Sequence, residues 1–124
     1  MNSKVSLVLR LLLALIMIVF GLNKFANFLP APEVEGAAGG YFTALMDSNT
    51  LTVVGLLEVI TGLSFLTNRY VALALIINAP LAFNAVLFHA SLDPANIGPA
   101  ALWLIIVIVL LFANKEKYQP LLQK

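Results

Sequence analysis

Residues 51–66, LTVVGLLEVITGLSFL, set a single carboxylate, Glu58, in the middle of an apolar run. A carboxylate in hydrocarbon costs several kcal/mol unless it is protonated or paired. A soluble helix has a polar face to carry such a group, and this run has none. Residues 51–66 therefore read as part of a membrane-spanning helix whose carboxylate must turn inward. The other strong charge inside an apolar run is Arg10, and the reading of the interior turns on whether the two meet.

The rest of the chain agrees with that start. Of its 124 residues 61% are hydrophobic and 10% are charged. Soluble domains carry about 25% charge, so there is too little polar surface here for a water-soluble fold. The length allows one domain. A net charge of +1 gives no basic field for nucleic acid. With no cysteine, disulfides, thiol chemistry and cysteine metal sites are excluded.

Hydropathy predicts four spans, at about 5–24, 51–67, 70–89 and 96–114, against the roughly 20 residues a bilayer requires. The fold class expected is all-α, a transmembrane four-helix bundle. The first run is too long for a signal-peptide core and no small-x-small site follows it before Pro30, so it reads as a retained helix. Pro80 falls inside the third run, where neighbouring helices can satisfy the carbonyl it frees. The fourth run has its apolar core at 100–113 and needs residues 94–99 to reach full length. Four spans place Lys4, Arg69, Lys115, Lys117 and Lys124 on one side and Lys24 on the other, with Glu33, Glu35, Asp47 and Asp93. By the positive-inside rule both termini are then cytoplasmic.

Pro30 and Pro32 stop the first helix. A short amphipathic helix is expected at about 33–47, with Val34, Ala38, Tyr41, Phe42 and Leu45 on one face and Gly36, Gly39, Gly40 and Thr43 on the other. It either lies on the outer membrane surface or forms a lid over the bundle mouth. Asp47, Ser48 and Asn49 offer N-cap chemistry to the second span, Asn68 a C-cap, and Asp93 before Pro94 a start for the fourth. Trp103 is expected at the outer interface.

Three runs carry a polar-and-small stripe at alternating spacing of four and three. The stripes are Arg10, Ala14, Met17, Gly21 and Lys24; Gly55, Glu58 and Gly62; and Asn78, Ala82, Ala85 and His89. Gly21, Gly55 and Gly62 allow close helix packing, and the polar members face the interior because lipid cannot solvate them. At about 1.5 Å per residue, Arg10 lies roughly 9 Å and Glu58 roughly 15 Å above the same boundary. That offset predicts an Arg10–Glu58 ion pair with Asn78 as third partner. Such a pair suits a register-fixing element and a proton or ligand site alike. A second cluster, Lys24, Asn27, His89 and Asp93, is expected at the outer mouth, with Asp93 in reach of the His89 imidazole. It reads either as interfacial snorkelling with a solvated His or as a polar mouth for a headgroup or a quinone carbonyl. Asn84 either back-bonds the carbonyl that Pro80 frees or lines the interior. One histidine and no cysteine argue against haem or zinc, and a metal on Glu33, Glu35, Asp47 and His89 has no motif behind it.

At these residues the chain resembles the DoxX family of small four-helix membrane proteins. The resemblance rests on Arg10, Phe20-Gly21-Leu22-Asn23-Lys24, Gly55-Leu56-Leu57-Glu58 with Gly62, Pro80 with Asn84, Phe88-His89, and Lys117-Tyr118-Gln119-Pro120. It implies a four-helix bundle in a bacterial cytoplasmic membrane and a link to a thiosulfate–quinone oxidoreductase subunit, and it assigns no residue a catalytic step. The leading expectation is an accessory subunit or a binder of a lipophilic ligand such as a quinone, with the bilayer and a redox enzyme as partners. The alternatives are a small proton-coupled transporter using Glu58, an exchange that a matched Arg10 would oppose, and a structural or assembly protein.

Overall fold

The computed structural model describes residues 2–29 and 34–124. The expectations placed on Pro30, Pro32 and Glu33 lie outside the described residues. The described chain is all-helical: α1 (Ser3–Ala26), α2 (Gly36–Asp47), α3 (Thr50–Thr67), α4 (Val71–Leu92) and α5 (Gly98–Ala113). Three of these, α1, α3 and α4, are long and apolar enough to cross a membrane. The 16 residues of α5 are followed by a 3-10 segment, Lys115–Leu122, that turns 76° away; α5 with that segment is a fourth candidate span.

Asparagines in the left-handed region make the breaks, as short polar side chains tolerate that conformation. Asn27 (φ 51°) ends α1, Asn49 (φ 62°) turns α2 into α3, and Asn68 (φ 56°) ends α3. The N–H of Arg69 then reaches back to the Ser64 carbonyl at 3.0 Å, closing the end of α3. Asn23 adds a cap that periodicity does not reveal: its Oδ1 accepts the N–H of Leu29 at 2.8 Å. Asn49 makes no side-chain cap bond to α3; it carries the turn instead.

The expected start of the last helix is corrected. Asp93 does not lead straight into α5, because the Asn96 amide donates to both Asp93 carboxylate oxygens at 3.0 and 3.1 Å. That closes a separate 3-10 turn at Pro94–Asn96, and α5 begins only at Gly98 with Pro99 in its first turn. At 1.5 Å per residue α5 is about 24 Å long, short of a full bilayer core of about 30 Å.

The connections order the helices. α1 and α3 run antiparallel, because Gly21 faces Gly55 and Val59 while Gly62 faces Met17 and Ile18. α3 and α4 are joined by three residues, so they too are antiparallel neighbours. α4 and α5 pack together, and α5 also packs on α1. The C-terminal segment folds back on the start of α4, where Tyr118 Oη donates to the Ala72 carbonyl at 2.9 Å. Burial there pushes the Tyr118 phenol above its ordinary value. Lys4, Arg69, Lys115 and Lys117 thus gather at one end of the molecule, the end where α1 begins and α3 and α5 finish.

One core cluster runs through α1, α3, α4 and α5, with Leu13, Met17, Phe65, Leu75, Trp103 and Val107 among its buried members. The outside is equally apolar: Leu15, Ile60, Leu73, Phe83 and Ile105 are each more than half exposed. An apolar exterior on every long helix is the reverse of a water-soluble surface and matches a hydrocarbon solvent.

α2 packs on α3 and α4. Its apolar face, Ala38, Tyr41, Phe42 and Leu45, turns onto the rest of the protein, while Gly36, Gly40 and Thr43 face outward. Tyr41 stacks on Phe88 of α4 with ring centres 4.7 Å apart, and Phe42 meets Phe88 edge-on at 5.1 Å. Asn84 Nδ2 donates to Tyr41 Oη at 2.8 Å. Asn84 therefore clamps α2 to α4, and it neither repairs the Pro80 break nor lines the interior.

Candidate functional site

Glu58 is 2% exposed, and its partner is Lys24. Lys24 Nζ stands 2.5 Å from Glu58 Oε1. The expected Arg10–Glu58 pair does not form. Arg10 instead donates through Nη1 to the main-chain carbonyl of Phe65. That carbonyl lies in the last turn of α3, where the helix leaves acceptors unsatisfied and the dipole favours a cation. Register decides between the two. With Gly62 against Met17 and Ile18, Arg10 stands about level with the end of α3, some two helical turns from Glu58. Depth counted from each helix's own boundary misses this, because α1 begins well beyond the point where α3 ends.

The glycines build the path for Lys24. A Cβ placed on Gly55 would lie 3.1 Å from Lys24 Cβ and 3.2 Å from Lys24 Cδ. The lysine stem thus lies flat along the groove that Gly55 leaves, and the ammonium reaches Glu58 one turn further along α3. Lys24 is 21% exposed, so the stem snorkels inward from the helix end, and the charge is not left in lipid. Gly21 and Gly62 hold the helices at that spacing: a Cβ on either would come within 2.7 Å of Val59 Cγ2 or Ile18 Cγ1.

Asn78 is fully buried and is not part of the ion pair. Its Nδ2 donates to the Ala74 carbonyl at 3.1 Å, and its Oδ1 accepts the indole N–H of Trp103 at 2.9 Å. Trp103 is therefore drawn inward and is 8% exposed. The sequence held a signal for this: an indole N–H in an otherwise apolar helix needs an acceptor, and Asn78 is a buried amide on an adjacent run. Asn78→Leu is expected to cost about 1–2 kcal/mol by orphaning that N–H. Asn78→Leu with Trp103→Phe should cost less than the sum of the single changes, in a double-mutant cycle read by denaturant unfolding in detergent.

His89 Nδ1 lies 3.4 Å from Asp93 Oδ2 and 3.3 Å from the Asp93 carbonyl. Asn27, by contrast, is exposed and caps α1, so it stands apart from the site. A half-open cleft of about 180 Å³ between α1, α3, α4 and α5 joins the two clusters. Lys24, Glu58, His89 and Trp103 supply its polar and aromatic wall, and Met17, Phe20 and Ala85 part of its apolar one. Ala85 and His89 occupy one face of α4, while Asn84 and Phe88, one residue earlier, hold α2 on the adjacent face. No residue of α2 lines the cavity.

Compared with protein families, curated proteins and solved structures, the chain finds no match. The chemistry of the site must therefore be taken from its own geometry. It offers a desolvated acid–amine pair, an imidazole oriented by a carboxylate and an indole, all around a space the size of one ring. Among the described residues no group of three or more His, Asp and Glu could hold a metal.

Proposed function

We propose that α1, α3, α4 and α5 cross a bacterial cytoplasmic membrane as a four-helix bundle with both termini inside, and that the protein is a DoxX-like accessory subunit binding the ring of a lipophilic ligand such as a quinone. The apolar exterior and the gathering of Lys4, Arg69, Lys115 and Lys117 at one end support the topology. The cavity carries the functional reading. An enclosed space of about 150 Å³ holds benzene, so this half-open cleft of about 180 Å³ has room for a single six-membered ring. A polar wall of Lys24, Glu58 and His89 orients such a ring, and the missing redox-active side chain leaves electron transfer to a partner enzyme.

Trp103 is the one tryptophan in the chain and lies on the cavity wall, so it reports occupancy. Titration of the purified protein with a short-chain quinone should quench its fluorescence saturably, and the quenching should weaken in His89→Phe. Linear, non-saturating quenching would count against the site.

One observation keeps a transport reading alive. The partner of Glu58 is a lysine, and unlike arginine a lysine can give up its proton. A proton-coupled exchange at Glu58 predicts substrate-dependent proton release from solubilised protein that disappears in Glu58→Gln. Release that persists in that variant would dismiss it.

A further inference from the structure

Resting on the topology proposed above, and not on the cleft, we infer that the elbow between α5 and the C-terminal 3-10 segment binds the headgroup of an anionic phospholipid in the inner leaflet. α5 is too short to cross the hydrocarbon core with length to spare, so its last turn ends at the inner boundary of that core. There the chain turns 76° and runs on as Lys115–Leu122. A continuation so close to a right angle, at that depth, lies in the membrane plane. Tyr118 holds it there through its bond to the Ala72 carbonyl at the start of α4. Side chains three apart line up in a 3-10 segment, so Leu121 shares the face on which Tyr118 meets the bundle. Leu121 is 70% exposed, and on that face acyl chains are the cover the topology supplies.

The inside of the turn is a half-open hollow of about 400 Å³, walled by Phe112 on α5 and by Lys115, Glu116 and Lys117 beyond it. Phe112 is 71% exposed and gives the hollow an apolar side. Both lysines are exposed, and among the described residues neither is in an ion pair. Among those residues Glu116 is also the one acid at this end, against Lys4, Arg69, Lys115 and Lys117. An apolar wall beside two unpaired ammonium groups fits an amphiphile with a negative head. Its chains lie along Phe112 and its phosphate meets Lys115 and Lys117. A free phosphate or a soluble acidic partner would engage the lysines and leave Phe112 and Leu121 uncovered.

The test is native mass spectrometry of the full chain in detergent, with phosphatidylglycerol and phosphatidylcholine of the same acyl chains in equal amounts. The two lysines together should give phosphatidylglycerol an advantage of about tenfold or more. Lys115→Gln with Lys117→Gln should remove most of it, and since both side chains are exposed the fold should survive. Equal retention of the two lipids, or a preference unchanged in the double variant, would overturn the headgroup site. Placement is read separately. The chain has no cysteine, so single spin labels on Leu121→Cys and on Ile60→Cys report collisions with oxygen or with a water-soluble nickel chelate in phosphatidylglycerol nanodiscs. Both labels should favour oxygen. A Leu121 label in water with the Ile60 label in lipid would overturn the interfacial seat of the segment and leave the spans standing. An Ile60 label in water would overturn the topology itself.

Discussion

Lys24→Met is expected to destabilise the protein by about 3–5 kcal/mol, because it leaves Glu58 buried without a counter-charge. The opposite truncation, Glu58→Gln, should cost less. Lys24 sits near the end of α1, is partly exposed, and can swing its ammonium outward once the carboxylate is gone. Exchanging the two residues, Lys24→Glu with Glu58→Lys, restores the pair in sign and should recover part of the loss. The same exchange between Arg10 and Glu58 should recover nothing, since Arg10 stands about two turns away against Phe65. Denaturant titration in detergent, read through Trp103, distinguishes these outcomes. Equal losses from Lys24→Met and Arg10→Met, or rescue by the Arg10 exchange, would refute the pairing.

The second large effect lies in the α1–α3 contact. Gly21→Val should cost about 3 kcal/mol, at the upper end of overpacking. The first carbon alone would come 2.9 Å from the main-chain nitrogen of Val59 and 3.0 Å from the Gly55 carbonyl, neither of which can rotate away. The helices would have to separate, and the Lys24 stem would lose the groove that leads it to Glu58. Gly40 offers the control. It is a helical glycine, and a Cβ added there would meet no neighbour within 4 Å. Gly40→Ala should therefore stabilise by about 0.4–1 kcal/mol through helix propensity and reduced unfolded-state freedom. Destabilisation at Gly40 equal to that at Gly21 would show that close contact with α3 is not what makes Gly21 intolerant.

Several features were legible in advance because they follow from spacing along one helix. The stripes containing Gly21, Gly55 and Gly62 do face one another, and the Glu58 side chain does turn inward, since an apolar neighbourhood leaves a carboxylate no alternative. His89 and Asp93, four residues apart, meet across one turn as their separation requires. The partner of Glu58 was not legible. Arg10 and Lys24 lie on the same stripe of α1 at opposite ends, and periodicity alone treats both as interior. The Asn84–Tyr41 clamp and the Trp103–Asn78 bond were hidden for a related reason, as each joins two helices whose rotation about their axes no single segment specifies.

By itself, then, the chain determined that its long helices are apolar enough to cross a membrane, that the glycine-bearing faces pack, and that a lone acid is carried inward among them. Tertiary structure alone decided how far α1 slides along α3, and with it that lysine and not arginine answers the acid. It also decided that the acid, the imidazole and the indole share one cavity. The reason is physical: burial patterns fix which face of a helix is covered, whereas axial register is set by interlocking shapes, here Gly21 beneath Val59 and Gly62 beneath Ile18, which exist only once both helices are in contact.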